Sequence, residues 1–375
     1  MRNSRQKAKL VFQDGSFFEG FLFGSPVSTA GEAVFQTGMV GYPEAMTDPS
    51  YFGQILVFTY PLIGNYGVPP QTKSKEGFFL PASPDEHTSR GGHFESDHIQ
   101  PKGIVVADYS AEYSHWQAVQ SLEAWMRVQS IPGITGVDTR AITKKLREQG
   151  TILAQIVVGE KQVDWYDPNA SDVLAQVSCT EAISYGSGDV HILFIDCGAK
   201  EGIIRSLVKR GARVTRVPYN ADISDYAFDG VVVSNGPGDP KLAKEPIAAI
   251  KKLLTLKTPK PLFGVCLGSQ LLALAAGADT AKLAYGHRSQ NQPCQDIESK
   301  RCYITSQNHG FAVQEKTLPK EWHVWFRNIS DQTVEGIRHE KKPFWAVQFH
   351  PEASPGPTDT GFLFDSFLEL CRHAK

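Results

Sequence analysis

The stretch PLFGVCLGSQLLALAAGA, from Pro261 to Ala278, constrains the fold more than any other part of the chain. An apolar run of strand type is followed by an apolar run of helical length, and Cys266 stands between them among small residues. A nucleophile on such a strand-to-helix turn projects above the edge of a sheet, where the first amides of the helix can stabilise a thiolate and an oxyanion. Glycine at positions 264 and 268 avoids crowding this sharp turn. The stretch predicts an α/β sheet with an activated cysteine, although a single cysteine at a strand end is more often a small apolar core residue.

A second motif, QFHPEAS, supplies the base that such a cysteine needs. The apolar run from Phe344 to Phe349 predicts a strand that ends at His350, and Pro351 stops the strand so that Glu352 can turn back beside the imidazole. We therefore predict a catalytic triad. His350 takes the thiol proton of Cys266, and Glu352 accepts a hydrogen bond from the other ring nitrogen.

The second half of the chain alternates strand and helix patterns. The predicted strands are HILFIDCG, ARVTRVPY, DGVVVSN and PLFGVC, and the predicted helices include KEGIIRSLVKRG and PIAAIKKLLTL. This order requires right-handed crossovers and predicts a mostly parallel sheet with helices on both faces. In such sheets the site lies at the carboxyl ends of the strands, where Asn235 to Gly238, Cys266 and His350 all stand.

The first half follows a different pattern, which predicts an N-terminal α+β domain over residues 1–187 and a second domain over residues 188–375. The linker-like SYGSGD, Ser184 to Asp189, marks the boundary. The strongest helix predicted in the first domain is HWQAVQSLEAWMRVQ, which starts at His115 and has one apolar face. Residues 68–103 form a long polar segment without periodicity, which predicts a surface loop rather than a partner-binding element.

Charge and cysteine content exclude several classes of protein. The net charge of −2 over 375 residues provides no basic surface for nucleic acid or membrane. The N-terminal MRNSRQKAK lacks the apolar segment of a signal peptide, so a cytoplasmic location is expected. The six cysteines include no C-x-x-C pair, which argues against a zinc site and against a disulfide scaffold, and we expect no metal in this chain.

Three ordered motifs resemble those of class I glutamine amidotransferases, namely GVCLGSQ, SNGPGDP and HPE. Four longer segments narrow the resemblance to the small, glutamine-hydrolysing subunit of carbamoyl-phosphate synthase. They are GYPEAMTDPSYFGQILVFTYPLIGNYG from Gly41, GVDTRAITKKLREQGT from Gly136, QNHGFAV from Gln307 and HPEASPGP from His350. The resemblance covers nearly the whole chain.

The resemblance implies roles for further residues. The amide of Leu267 and a glycine amide between Gly236 and Gly238 would hold the oxyanion. The residues that would bind L-glutamine are Gln270, Asn308, Gly310, Phe311 and, from the first domain, Ser50.

The family also implies a partner, because ammonia from glutamine must reach a sheltered acceptor. A separate large subunit would use ATP, Mg and bicarbonate to make carbamoyl phosphate for arginine and pyrimidine synthesis, and small-large pairs could assemble further. This chain has no G-x-x-x-x-G-K-[ST] loop, so we expect no cofactor in it.

Departures from the family pattern leave two alternatives. Ser269 stands where many members have His, Gly202 replaces a common Asn, and YGHRSQNQP from Tyr285 is unusual. One alternative is another class I amidotransferase, against which GYPEAMTDPSY argues. The other is a non-catalytic subunit that organises a synthase fed by free ammonia, against which the presence of all three triad residues argues.

Overall fold

The computed structural model describes residues 6–75, 77–79 and 94–374. The chain forms two compact units, Met1–Pro168 and Asn169–Lys375. The sequence predicts a boundary after residue 187, whereas residues 169–187 belong to the second unit here. The reason is local pairing: the strand at Ile183–Tyr185 joins the sheet of that unit, and the Cys179 amide donates to Asp196. Of the predicted loop over 68–103, residue 76 and residues 80–93 lie outside the described residues.

The first unit has nine strands and three α-helices in its described residues. The strands are β1 Lys7–Phe12, β2 Phe17–Gly24, β3 Thr29–Gln36, β4 Gln54–Phe58, β5 Leu62–Ile63, β6 Gly103–Val105, β7 Asp108–Tyr109, β8 Pro132–Thr135 and β9 Ile152–Val158. The helices are α1 Tyr42–Thr47, α2 Leu122–Val128 and α3 Thr139–Gln149. Seven of the strands close a barrel in the order β1-β2-β8-β6-β4-β3-β9, and β5 pairs with β7. This mixture of a barrel and short helices agrees with the α+β class predicted for the first half.

The helix predicted to start at His115 is shorter than expected. Residues 119 and 120 pair with Val68 through backbone hydrogen bonds of the strand type. The Val119 amide donates to the Val68 carbonyl, and the Gln120 carbonyl accepts from the Val68 amide. The helix therefore starts only after Ser121, whose hydroxyl accepts from the Ala124 amide as an N-cap. The predicted apolar face of α2 is buried nevertheless.

The second unit has ten strands and four α-helices in its described residues. The strands are β10 Ile183–Tyr185, β11 Val190–Asp196, β12 Ala212–Pro218, β13 Gly230–Val233, β14 Leu262–Val265, β15 Thr280–Asp296, β16 Cys302–Val313, β17 Trp322–Asn328, β18 Val334–His339 and β19 Phe344–Val347. The helices are α4 Glu201–Lys209, α5 Lys244–Leu254, α6 Leu267–Ala276 and α7 Phe362–His373.

All ten strands form one sheet in the order β10-β12-β11-β13-β14-β19-β18-β17-β15-β16. The five neighbouring strands from β12 to β19 are parallel, as the alternation of strands and helices predicts. The sheet then continues through four antiparallel strands, β18, β17, β15 and β16. The α/β class is confirmed, but the sheet is parallel only in this central part.

Helices cover both faces of the parallel part. Leu262 of β14 belongs to a buried cluster with Leu271 and Leu272 of α6. The next residue, Phe263, packs its ring against Phe364 and Phe367 of α7, with ring centroids 6.0 and 5.5 Å away. Successive residues of a strand point to opposite faces, so α6 covers one face and α7 the other.

Candidate functional site

Cys266 is the only residue between β14 and α6. Its backbone angles are φ 53° and ψ −104°, a conformation that residues with a side chain seldom adopt. Two backbone hydrogen bonds hold the turn: the Cys266 amide donates to Val347 of β19, and the Gly268 amide donates to Ser234, both at 2.9 Å. Strain of this kind persists where the surrounding structure enforces it, and it is concentrated at functional sites. The turn therefore has the form that the sequence predicts, a sharp strand-to-helix turn with Cys266 at its centre.

Glycines let this turn approach its neighbours. A Cβ atom at Gly268 would lie 2.2 Å from the carbonyl oxygen of Val233, and one at Gly264 would lie 2.5 Å from the carbonyl oxygen of Gly268. A Cβ atom at Gly236 would lie 1.9 Å from the carbonyl oxygen of Cys197. Real Cβ atoms do not approach backbone oxygen so closely, so the crowding predicted for positions 264 and 268 is present.

His350 follows β19, at the same edge of the sheet as Cys266. Its amide donates to Ser306 at 2.9 Å, and its Nδ1 lies 2.6 Å from Oε1 of Glu352. Because Nδ1 donates to the carboxylate, Nε2 is the nitrogen left to accept a thiol proton. Within the described part of the chain, Nε2 has no hydrogen-bond partner.

Charges around His350 favour its protonated form. Burial by itself would lower the pKa of His350, but the Glu352 carboxylate and the neighbouring Cys266 thiol raise this pKa to about 10. Burial would likewise raise the pKa of Glu352, but Lys200 and His350 lower it to about 2. Glu352 is therefore a carboxylate at neutral pH, and these charges stabilise the imidazolium that forms when Nε2 of His350 takes the Cys266 proton.

Lys200 extends the predicted triad by one residue. Its Nζ lies 3.0 Å from Oε1 of Glu352 and donates to the carbonyl of Ala353 at 2.6 Å. Both charged side chains are almost completely buried, at 3% and 0% exposure. The backbone of Lys200 is held in turn, because its amide donates to the side chain of Asn235 at 2.9 Å.

No motif in the sequence predicts a role for Lys200 at the site. A signal was present, since Lys200 follows β11 by a few residues and so stands at the carboxyl edge of the parallel strands, as Cys266 does.

The Asn308 backbone and the Gln348 side chain both lie close to the cysteine sulfur. The Asn308 carbonyl oxygen and the Gln348 Nε2 each lie 3.6 Å from the Cys266 Sγ. Gln270, on the first turn of α6, donates to the Phe311 carbonyl at 2.9 Å and to the Gln348 side chain at 3.0 Å. The structure thus brings together three of the residues predicted to bind substrate, and it adds Gln348, which the sequence analysis did not single out.

The other residues that the family resemblance assigns to oxyanion or glutamine binding lie in three places. Leu267 is the first residue of α6, so its amide has no partner inside the helix, and a Cβ atom at Gly236 would lie 2.9 Å from the Leu267 side chain. Gly238 follows in the same loop with φ +87°. Gly310 is packed beside Arg288, whose Nη2 would lie 3.2 Å from an added Cβ atom.

Ser50 belongs to the first unit. Its amide donates to the Asp48 side chain at 2.9 Å, in the short 3-10 turn Pro49–Tyr51. This is an Asx turn, in which the Asp48 side chain accepts from the backbone two residues further on.

None of the helices among the described residues has the length and apolar character that a membrane span requires.

Comparison with known proteins identifies both halves of the chain. The family model for class-I glutamine amidotransferase matches residues 193–370. The family model for the CPSase domain of the carbamoyl-phosphate synthase small chain matches residues 10–156.

Three curated relatives show how far the similarity extends. The arginine-specific small chain of carbamoyl phosphate synthase from Aspergillus oryzae is 47% identical over 387 residues, which cover 100% of this chain and 83% of that protein. The multifunctional protein CAD of Squalus acanthias is 48% identical over 98% of this chain. The mitochondrial carbamoyl-phosphate synthase [ammonia] of Aquarana catesbeiana is 46% identical over 99% of this chain. The alignments span only 16% of the Squalus protein and 24% of the Aquarana protein.

Both halves of the chain match the two domains in the expected order, and the similarity to the Aspergillus small chain extends over the full length. The chain therefore belongs to the carbamoyl-phosphate synthase small chain family, with a class-I glutamine amidotransferase domain in its second half.

Proposed function

We propose that this chain hydrolyses L-glutamine to glutamate and ammonia, and delivers the ammonia to the large subunit of a carbamoyl-phosphate synthase. The observation that carries the proposal is the buried relay of Lys200, Glu352 and His350 beside Cys266. A cysteine that only fills the core needs neither a strained turn nor a buried histidine paired with a carboxylate.

The reaction begins with transfer of the Cys266 thiol proton to Nε2 of His350. The thiolate sulfur then attacks the side-chain carbonyl carbon of glutamine, and a tetrahedral oxyanion forms. His350 returns the proton to the leaving nitrogen, the C–N bond breaks, and ammonia departs from a glutamyl thioester. Water attacks the thioester while His350 takes its proton, and the C–S bond breaks. Glutamate is released, and His350 returns the proton to the sulfur, which restores the thiol.

The amides around the turn at Cys266 stabilise the charge that develops in this reaction. The amide of Leu267, the first of α6, has no partner inside the helix, and the positive end of the helix dipole favours a negative charge beside it. Gly236 or Gly238 supplies a second donor from the loop after β13. A donor of this kind contributes about 3 kcal/mol to stabilising the transition state of acyl transfer.

Family membership does not by itself decide between glutamine and free ammonia as the nitrogen source, since one relative at 46% identity is named for ammonia. A chain that only organised a partner would not need a base beside the cysteine. In this chain the Glu352 carboxylate holds His350 in the tautomer that the reaction requires, which favours glutamine hydrolysis.

The partner and the products follow from the same chemistry. The large subunit would use ATP, Mg and bicarbonate, and this chain would need no cofactor of its own for glutamine hydrolysis. The carbamoyl phosphate would serve arginine or pyrimidine synthesis. The small-large pair, its further assembly and its cytoplasmic location stay predictions.

Covalent labelling tests the nucleophile directly. A glutamine analogue with a diazoketone in place of the carboxamide would be incubated with the chain and located by peptide mapping. We expect alkylation of Cys266, protection by L-glutamine, and slower labelling of the His350→Asn variant.

The six free cysteines provide the internal control for this experiment, because Cys302 is exposed whereas Cys266 is only 2% exposed. A reaction governed by exposure would label Cys302 first. Label at Cys302 without glutamine protection, and none at Cys266, would refute the proposed nucleophile.

A further inference from the structure

A second cluster of polar side chains lies in the antiparallel part of the sheet. His287 of β15, His309 of β16 and Glu335 of β18 are all buried, and each offers one ligand atom within 4.8 Å of the others. We propose that this cluster, completed by the amide oxygen of Gln307, binds one divalent transition-metal ion, with zinc the best match. The cluster shares no residue with the relay of Lys200, Glu352 and His350 or with Cys266.

Hydrogen bonds assign the protons on both imidazoles. Nδ1 of His309 lies 2.8 Å from the Phe311 carbonyl oxygen, so this nitrogen carries a proton and Nε2 presents a lone pair. Nε2 of His287 lies 2.7 Å from the Asp331 carboxylate, so this nitrogen is also a donor. The second nitrogen of His287, Nδ1, is therefore available as a ligand. In metal sites a ligating histidine usually donates its other N–H to a carbonyl or carboxylate, as both histidines do here.

The orientation of the Gln307 side chain is also fixed by its neighbours. The Thr305 hydroxyl donates to the Gln292 carbonyl at 2.9 Å, so its oxygen accepts from Nε2 of Gln307 at 3.1 Å. The amide oxygen of Gln307 must then face the histidines. It lies 2.9 Å from Nδ1 of His287 and 3.0 Å from Nε2 of His309.

Glu335 completes the set with a carboxylate whose side chain is 0% exposed. Its Oε1 lies 3.3 Å from Nδ1 of His287, and its Oε2 lies 3.9 Å from Nε2 of His309. Among the described residues Oε2 has no hydrogen-bond partner. Lone pairs of two imidazoles, one amide and one carboxylate thus converge in the interior. A buried carboxylate oxygen without a partner is costly, and a cation among these atoms would satisfy all four groups at once.

The spacing of these atoms suits a small metal ion. Tetrahedral zinc with bonds of about 2.0–2.1 Å places its ligand atoms about 3.3–3.4 Å apart. The four distances here are 2.9, 3.0, 3.3 and 3.9 Å, so small side-chain shifts would close the shell. Imidazole nitrogen favours zinc and its transition-metal neighbours over magnesium or calcium. The proposal departs from the expectation that this chain holds no metal, which rested on the scattered cysteines, because this ligand set contains no thiolate.

Metal content of the full-length chain tests the inference. The protein would be purified without chelators or a histidine tag and analysed for metal, then stripped and titrated with Zn²⁺ alone. We expect one zinc per chain, and a loss of affinity of about tenfold or more in His287→Asn and in Glu335→Gln. The matched control is His323→Asn, because His323 also pairs with a carboxylate, Glu298 at 3.1 Å, but its side chain is 36% exposed, and this variant should retain the zinc.

Cobalt substitution covers the case in which the variants fail to fold, which circular dichroism would show. We expect the wild-type Co²⁺ complex to have visible d–d bands without a thiolate-to-cobalt charge-transfer band, because no cysteine belongs to the ligand set. Equal zinc binding by wild type and both variants, no zinc binding by the wild type, or a thiolate band would each overturn the inference. In the first two cases an additional proton on His287 would be the cation that holds Glu335.

Discussion

At the residue scale, positive and negative charges alternate along the buried relay from Lys200 through Glu352 to His350. Removing one member leaves another charged and unpaired in the interior, which is more costly than losing an exposed ion pair. Glu352 therefore stays with His350, and its carboxylate keeps Nδ1 of the imidazole protonated. Lys200 acts through Glu352 rather than on the substrate.

We expect the stabilising effect of Glu352 to depend on pH in two directions. The folded pKa of His350 is raised from 6.5 to about 10, so the contribution of the pair is complete below pH 6.5 and is lost as the pH rises toward 10. The folded pKa of Glu352 is lowered from 4.5 to about 2, so its contribution is complete above pH 4.5 and is lost as the pH falls toward 2. The free energy of unfolding of wild type should exceed that of Glu352→Gln by about 3 kcal/mol between pH 4.5 and 6.5.

Urea unfolding across this pH range measures the difference. The control is Glu315→Gln, because Glu315 pairs with Arg327 at 2.7 Å but is 51% exposed, and its removal should cost less than about 1 kcal/mol. A difference between wild type and Glu352→Gln that did not change with pH would contradict the assignment of charges.

The sequence predicts those site residues whose role is tied to a local pattern. Cys266 and the HPE motif stand out because a strand end, glycines and a proline surround them. Lys200 and Gln348 carry no such pattern, and their function depends on contacts with residues far away along the chain. Such contacts become visible only when the sheet brings the strand ends together.

At the element scale, the turn from β14 into α6 depends on close backbone packing. Gly268 lies against Val233, and its amide donates to Ser234. The start of α6 is therefore fixed to the end of β13, just before the loop with the proposed oxyanion donors Gly236 and Gly238. The position of Cys266 thus depends on backbone contacts as well as on its own side chain.

Gly268→Ala should displace the start of α6. The added Cβ atom would lie 2.2 Å from a backbone oxygen, so we expect a loss of about 1–3 kcal/mol in stability and about 100-fold in kcat. Gly277→Ala is the control at the other end of the same helix. It has φ +103° and no atom within 4 Å of the added Cβ, so it should lose about 1 kcal/mol of stability but keep its activity. Thermal unfolding and glutaminase assays would distinguish the two, and equal activity losses would contradict this explanation.

Elements with a strong apolar periodicity are predicted better from the sequence than elements that depend on backbone pairing with a distant segment. The parallel strands and their helices follow from alternating apolar runs. Strand β15 has many polar residues, contains Pro293 and pairs with two bulges, so its sequence has little strand character. The start of α2 was predicted too early because pairing of Val68 with residues 119 and 120 outweighs the helical pattern.

At the scale of the whole molecule, each compact unit matches its own family domain. The proposed nucleophile, base and oxyanion donors all lie in the second unit, whereas Ser50 belongs to the first unit, in the 3-10 turn before β4. The sequence predicts two domains, but the transition lies at Pro168 and Asn169, because a short edge strand before the apparent linker already belongs to the second sheet.

The most direct test of the central claim is glutamate release from L-glutamine by the purified chain, alone and with a carbamoyl-phosphate synthase large subunit. Wild type, Cys266→Ser and the control Cys302→Ser would be compared. We expect turnover that the large subunit increases, a loss of about 1,000-fold or more in Cys266→Ser, and no loss in Cys302→Ser. Equal turnover by wild type and Cys266→Ser would contradict the account.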